Sequence, residues 1–569
     1  MPGSRVSDKY GYIAVISLLT LTTFLALFVF RGMDDNRLTS WNWAFSGTGA
    51  VRIFLYLIPA IAVAFVLSRF SLEKRNYAVF LFLASFACCM LFWGEPEVIV
   101  DASRYFTQAK HLEIYGPWYF LKEWGRSINA WTDLPLVPFL YGLIFKFIGE
   151  SRIYIQVFTS VLFSMTVVLT SLIGESLWNR DTGFFAGALL LGMPYLFTQV
   201  PLMLVDVPAM FFLAFAVFTF MRALERGRSW IVLASVAIFL VFYSKYSAWL
   251  MLSVLAVISM VSIKKPSAGR RWRTVLQRTA AVAFVSAYLI AAPLLLISDV
   301  MSKQIDLLIS YQKPGLRRWG ESFISIFFYQ IHPFITVAAL YSAYSAVRKK
   351  DLKYAAVIWL MILVVLLQIK RTRYIIMTLP MLALMASYGL QSIKDREIRR
   401  FVVSCIVMSS LVVAVFAYKP FLQRMSSVNL KDAGVYLDSI DAEDIEVITI
   451  PSENYIINSA VSVPILDLFT NKDFCYDYDT GSLPRAETVE ESSLRFTWRY
   501  KNPGYYSCDR DQTGEKAIVL ISSESGQPVP DHIKQRIAGF YVSNEFEASN
   551  GVFQYVTIVK VYQRRPAAH

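Results

Sequence analysis

The sequence predicts a polytopic α-helical membrane protein of about 13 to 15 spans, followed by a C-terminal extracytoplasmic α/β domain. Composition is the first reason. Of 569 residues, 56% are hydrophobic and 17% charged, and mean hydropathy is +0.47, whereas a soluble domain carries roughly a quarter charged residues. This excludes an ordinary soluble enzyme and a disordered chain. The second reason is the recurrence of apolar runs up to Tyr418, and the third is the abrupt change to a polar sequence after it. Charge follows the same division. From Lys419 to the end there are 15 Lys and Arg against 21 Asp and Glu, so the formal +13 of the chain resides in the apolar part. There the preference of basic residues for the cytoplasmic side of a membrane explains it better than a polyanion does, so no nucleic acid is expected as a partner.

Residues 1–93 read as N-terminal spans. The run Tyr10 to Phe30 follows Arg5 and Lys9 and has no clear small-residue cleavage site, which makes it an uncleaved anchor with its N-terminus inside. Runs at 51–68 and 77–93 flank Arg69, Lys74 and Arg75, a cytoplasmic turn. Further basic turns lie at Arg222 to Arg228, Lys264 to Arg278, Arg348 to Lys353 and Lys394 to Arg400. They divide residues 134–418 into spans near 134–149, 155–177, 207–221, 229–243, 247–263, 279–298, 323–347, 354–369, 375–391 and 401–418. Asp133 and Asp206 are both expected outside, so an even number of crossings must separate them. The run 183–205 contains Pro194 and Pro201, and splitting it at proline into two short spans satisfies that parity.

Residues 94–133 form an outer loop. Asp101 to Leu112 lacks Pro and Gly and ends at Tyr115-Gly116-Pro117, a helix followed by a stop. Asp101, Tyr105, Gln108 and Leu112 share one of its faces. The surrounding Trp118, Tyr119, Phe120, Trp124 and Trp131 suit helices lying in the membrane interface. Residues 419–569 read as an extracytoplasmic α/β domain with a helix at Leu430 to Ile440. Strands are expected at Glu446 to Ile450, Ala517 to Ile521 and Val552 to Val561. Cys88, Cys89 and Cys405 fall in spans, and Cys475 and Cys508 are placed where a disulfide is permitted.

No phosphate-binding glycine loop, zinc pattern or nucleophile elbow is present. What stands out is a set of polar residues at outer helix ends: Asp101, Asp133, Asp206, Lys245, Arg371 and Arg373. They occur within Asp101-x-x-Arg-Tyr105, Trp131-Thr-Asp133-Leu-Pro135, Leu204-Val-Asp206-Val-Pro208, Tyr243-Ser-Lys245-Tyr246 and Arg373-Tyr374 followed by Pro380. In this order the motifs resemble the polytopic glycosyltransferases of the C superfamily, in particular the group of protein O-mannosyltransferases and lipid A aminoarabinose transferases. The resemblance covers roughly residues 94–390. It implies a polyprenyl-phosphate sugar as donor and an outer-face acceptor. It also implies Asp101 as the carboxylate that activates the acceptor, with Tyr105 beside it, and Asp133 as a second catalytic acid and the candidate ligand of a divalent metal. Leu134 stands where relatives often carry lysine, Ala102 where they often carry a second acid, and the 299–322 loop has no histidine. No certain cofactor follows from the resemblance, and a divalent metal at Asp133 is the one candidate. The family's usual 13 spans would make the first two here an N-terminal addition.

Physical chemistry agrees with that reading. A polyprenyl phosphate holds its phosphate at the membrane surface, and Lys370, Arg371 and Arg373 break the orientation rule by clustering outside. Arginine grips phosphate through two parallel hydrogen bonds and stays charged, and Asp206 and Lys245 complete a substrate-binding set. Each residue also admits a plainer role. Asp206 before Val207-Pro208 could cap a helix, Lys245 could snorkel, the arginines could bind lipid headgroups, and Asp101 could be a solvated loop charge, as could Arg317 and Arg318. The expected function is transfer of a hexose or pentose from a polyprenyl-phosphate carrier to a protein, lipid or glycan acceptor, with inversion, at the plasma membrane. A transporter or flippase of lipid-linked saccharides, and an inactive glycan-binding relative, are the alternatives. Acceptor choice is expected to involve the C-terminal domain.

Overall fold

The computed structural model describes residues 2–71, 76–264, 272–314, 320–442, 444–450, 457–476, 489, 492, 494–507, 516–548 and 555–564. Eight helices among them are long and apolar enough to cross a membrane: Lys9–Val29, Ala50–Ser68, Arg152–Leu177, Asp206–Arg226, Tyr246–Lys264, Trp272–Leu295, Thr372–Leu390 and Arg396–Leu422. Tyr77–Met90, Leu136–Phe147, Ser229–Ser244 and Tyr354–Leu366 are shorter apolar helices. Large apolar side chains such as Leu18, Val51, Phe284 and Val347 stay exposed on these segments, as a bundle bathed in hydrocarbon requires. This is a multi-pass membrane protein with a small C-terminal sheet.

The basic turns gather at one end of the bundle. Lys9 and Arg69 both bind Glu397, Arg399 reaches Asp181 at 3.3 Å, and the Trp178 indole donates to Asp351 at 2.9 Å. Lys74 and Arg75, and residues 265–271 of the 264–278 turn, lie outside the described residues. The C-terminal domain occupies the opposite end.

Between Asp133 and Asp206 the even number of crossings is met differently from the sequence expectation. The helix Leu136–Phe147 does not run into the bundle. It lies antiparallel along Ile99–Glu123, with Phe145 against Phe106 at 5.7 Å and Phe139 against Phe120 at 5.6 Å. A Cβ on Gly142 would meet Leu112 at 2.6 Å, so glycine is what lets the two backbones approach. Past its end, Glu150 binds Lys110 at 3.0 Å, and Lys110 also binds Asp467 of the C-terminal domain at 2.7 Å. Both ends of this helix are therefore at the domain end. The remaining pair of crossings is Arg152–Leu177 and a return through Arg180–Leu190 and Pro194–Gln199. Pro194 does break the run, but the six-residue piece after it would be only about 9 Å long and does not cross by itself. Among the described residues, these two corrections bring the passes to the lower end of the expected range.

Other boundaries shift for local reasons. The span expected at 323–347 begins as a π-helix, Ser325–Ile331, and restarts at Pro333–Lys349. His332 between them is extended, and its Nδ1 accepts the Phe334 amide at 3.2 Å, so it is a cap for the second helix. The helix expected at 279–298 begins about two turns earlier and ends two residues sooner, Trp272–Leu296.

The C-terminal sheet contains β1 (Asp444–Thr449), β2 (Asp473–Tyr476), β3 (Lys516–Ser522), β4 (Phe540–Glu547) and β5 (Ile558–Arg564) in the order β2-β1-β3-β5-β4. β1 is parallel to β2 and β3, whereas β3–β5 and β5–β4 are antiparallel. The expected helix is Val428–Asp438. Alternation in β1 and β3 sends Ile445, Val447, Ala517 and Val519 to the core shared with the bundle. Ile448, Ile518 and Leu520 go to a second cluster closed by Ile533 and Tyr562. The last strand starts later than the sequence suggests, and β2 and β4 were not anticipated. β2 spans one four-residue stretch, and β4 is a half-exposed edge strand whose mixed residues carry no apolar period. Cys475 is in a disulfide, and Cys508, its expected partner, lies outside the described residues.

Candidate active site

The helix beginning at Ile99 brings the first acid to the domain end of the bundle. Its opening turn carries Asp101, and it continues without interruption until Gly116, whose φ of +89° beside Pro117 produces a kink. Asp101, Tyr105, Gln108 and Leu112 do share a face, and Tyr105, Gln108 and Leu112 are buried. The second acid, Asp133, enters from the turn before Leu136. The third, Asp206, opens the helix Asp206–Arg226. Arg373 comes from the first turn of Thr372–Ile375, and Lys245 from the extended residue that separates Ser229–Ser244 from Tyr246–Met251.

These side chains form one continuous network. Arg373 bridges two carboxylates, with Nε on Asp206 at 2.7 Å and Nη1 on Asp101. Lys245 binds the other oxygen of Asp206. Asp101 is also 3.3 Å from Arg104, one turn further along its own helix. Arg104 grips Asp133 through Nε at 2.9 Å and Nη2 at 3.1 Å. The Tyr105 hydroxyl and the Gln108 amide donate to Asp133 at 3.3 and 3.2 Å. Arg371 packs over the Tyr374 ring at 5.0 Å, and Lys245 lies 5.1 Å from the same ring.

Exposure distinguishes the members. The Asp206 side chain is 1% exposed and that of Asp133 6%, whereas those of Asp101 and Arg104 are 22% and 21% exposed. Asp101 is thus the acid at the mouth. Burial pushes its pKa up, but the positive charges of Arg373, Arg104 and Arg371 outweigh burial and hold the carboxyl well below the usual carboxylate range. It is ionised at any physiological pH. Asp133 has its two oxygens occupied by four donors, which is all that a carboxylate accepts. Its arrangement fixes Arg104 and leaves no lone pair for a cation. Among the described residues no group of three or more His, Cys, Asp or Glu could hold a metal. The donor set at Asp133 therefore does not fit a metal ion.

All seven residues singled out in the sequence lie in or beside this network. Arg371 joins through Tyr374 and through its charge on Asp101 rather than through the chain of ion pairs above. Arg317 and Arg318 lie outside the described residues. Three members were not singled out. Arg104 had a signal, being three residues after Asp101 on a helix. Gln304 binds the Asp133 carbonyl at 2.9 Å and accepts from Tyr246 at 2.5 Å. Glu321 accepts from the amide and hydroxyl of Thr372, each at 2.8 Å, and so anchors the segment bearing Arg373. Neither has a sequence signal, because each acts on backbone that only the fold brings near.

Residues 133–297, less than half of the chain, match the family described as dolichyl-phosphate-mannose-protein mannosyltransferase. The fold is similar to that of ArnT from Cupriavidus metallidurans bound to undecaprenyl phosphate, with TM-score 0.55 and 12% identity over 86% of this chain and 98% of that one. The apo state of the same protein gives 0.55 and 12% over 85% and 97%. AglB from Archaeoglobus fulgidus, an archaeal oligosaccharyltransferase in complex with an inhibitory peptide and a dolichol-phosphate, gives 0.49 and 10% over 80% and 70%. No curated protein sequence matches. In its family match and in its fold, the chain resembles the polytopic C-superfamily glycosyltransferases.

Proposed function

We propose that this chain is a membrane glycosyltransferase that moves a sugar from a polyprenyl-phosphate carrier to an acceptor at the end of the bundle bearing the C-terminal domain. The basic turns at the other end of the bundle support reading the domain-bearing end as the extracytoplasmic side of the plasma membrane. The observation that carries the reading is the Arg104–Asp101–Arg373–Asp206–Lys245 network, in which one part-exposed carboxylate is surrounded by cations at outer helix ends. The undecaprenyl phosphate in the similarly folded ArnT supports a donor of that class.

In the transfer the acceptor hydroxyl attacks the anomeric carbon, the bond from that carbon to the phosphate oxygen breaks, and polyprenyl phosphate leaves with the electron pair. The hydroxyl proton passes to the Asp101 carboxylate. Attack opposite the leaving phosphate inverts the anomeric centre. Arg373 and Arg371 stabilise the charge that grows on the phosphate, with Lys245 beside them, and such prepared donors are worth about 3 kcal/mol each. Asp206 orients Arg373 and Lys245, while Asp133 and Tyr105 orient Arg104. Asp101 is a weak base while two guanidiniums hold it. A phosphate that draws Arg373 away raises its basicity, so donor arrival prepares the base. No step is routed through a metal.

The test is an assay of the purified full-length protein with radiolabelled polyprenyl-phosphate hexose or pentose and extracted envelope acceptors. A new glycosidic bond supports the proposal. Movement of the labelled lipid across a vesicle bilayer without any such bond identifies a transporter instead.

A further inference from the structure

Between the interfacial helix Ile99–Glu123 and the segment 496–504 of the C-terminal domain is a cleft of about 280 Å³. It begins at the catalytic network, because Arg104 and Gln108 line it. Three oxygens on its lining residues have no hydrogen-bond partner among the described residues: Oγ1 of Thr107, Oε1 of Gln108 and Oδ1 of Asn502. Both amides are fixed by their nitrogens. Gln108 Nε2 donates to the Asn129 carbonyl at 2.9 Å and to Asp133, and Asn502 Nδ2 donates to the Tyr476 carbonyl at 2.7 Å. The two amide oxygens are therefore held as acceptors, the Thr107 hydroxyl can accept or donate, and Gln108 is only 2% exposed. A buried polar atom without a partner is costly, so such a set implies a partner that supplies hydrogens. Tyr119, Trp131 and Phe496 add ring faces beside them, with Trp131 and Phe496 5.7 Å apart.

We infer that this cleft binds an uncharged saccharide, and that the saccharide is the acceptor. Hydroxyl groups donate to lone acceptor oxygens, while the apolar faces of pyranose rings lie on aromatic rings. A phosphorylated or carboxylated ligand would set its own oxygens against the two amide oxygens. This inference rests on the transferase reading, and it deepens that reading by naming the acceptor class and where the acceptor sits.

The experiment uses the full-length protein in nanodiscs and saturation-transfer NMR with a panel of neutral hexose oligosaccharides, the same oligosaccharides bearing a phosphate, and an unglycosylated peptide. Neutral members are expected to bind, with affinity falling about tenfold in Thr107→Val and in Tyr119→Ala. Thr107→Val removes a hydroxyl that bonds nothing, so its thermal midpoint should stay level or rise, an outcome that a merely structural role would not give. Absence of binding by any neutral member, binding in both variants as tight as in the wild type, or preference for the phosphorylated sugar or the peptide would overturn the inference. The two readings fail separately. Variant-sensitive saccharide binding without glycosidic bond formation leaves the cleft as a glycan site and removes the transferase. Transfer whose acceptor KM is unchanged in both variants leaves the transferase and removes the cleft.

Discussion

Two ion networks draw on the 94–133 loop, one at Glu97 and one at Asp101, and both pair carboxylates with guanidiniums. Glu97 and Arg152 form a pair at 2.7 Å with side chains 0% and 7% exposed, and the second Glu97 oxygen accepts the Met203 amide at 2.9 Å. It is closed: Glu97 is the carboxylate bonded to Arg152, whose guanidinium also lies 5.5 Å from the Phe469 ring. The network around Asp101 is open at its mouth, and its cations are shared: Arg373 has Asp206 besides Asp101, and Arg104 has Asp133. The difference teaches how to tell a strut from the proposed reactive centre. Removing one acid from the strut strands a buried cation. Removing Asp101 leaves each neighbouring arginine with a carboxylate.

The largest effect expected from this contrast is on stability. Glu97→Ala should destabilise the fold by about 3–5 kcal/mol, the cost of leaving a buried charge without its partner, whereas Asp101→Ala should lower the thermal midpoint in detergent by less, because both arginines bonded to it keep another carboxylate. Equal losses in both would erase the distinction. Arg373→Lys comes next. A single ammonium does not reproduce the fork that bridges Asp101 and Asp206, so transfer should fall about 10- to 100-fold with a raised donor KM, read in steady-state assays. Asp133→Asn should then cost about tenfold in kcat with donor KM nearly unchanged, since it only loosens Arg104.

The smallest effect concerns the contact between the bundle and the C-terminal domain. Burial pushes Asp467 up to about 6 and Glu150 up to about 8, against the opposing charge of Lys110. Carboxyls with raised folded-state pKa values favour the docked form fully below their ordinary values near pH 4 and lose that contribution as pH rises through 6 to 8. Hydrogen exchange of residues 500–507 should therefore quicken modestly between pH 5 and 8, beyond the intrinsic base dependence. Lys110→Met should alter that profile.

Much of this was legible in the sequence because membrane chemistry is written in simple marks. Runs of apolar residues, basic turns and a change of composition after Tyr418 gave the class, the arrangement of the ends and the final domain. The acids and cations were visible for the same reason: Asp206 and Arg373 are expensive where the chain is otherwise apolar. What stayed hidden depends on depth rather than identity. Leu136–Phe147 has the composition of a span, and only its packing on Ile99–Glu123 through Gly142 shows that it lies alongside. Gln304 and Glu321 bond to backbone, which leaves no trace in side-chain pattern. β4, half exposed on an edge, had no alternation to read.

The central claim is that Asp101 is the base and the surrounding cations hold the phosphate. It is tested most directly by measuring, on one preparation of Asp101→Asn, both polyprenyl phosphate binding and sugar transfer at saturating donor. The expected result is transfer reduced by about 10²- to 10⁴-fold with donor affinity at least that of the wild type, since Arg373 is released from a competing carboxylate. Undiminished transfer with the donor bound would contradict it.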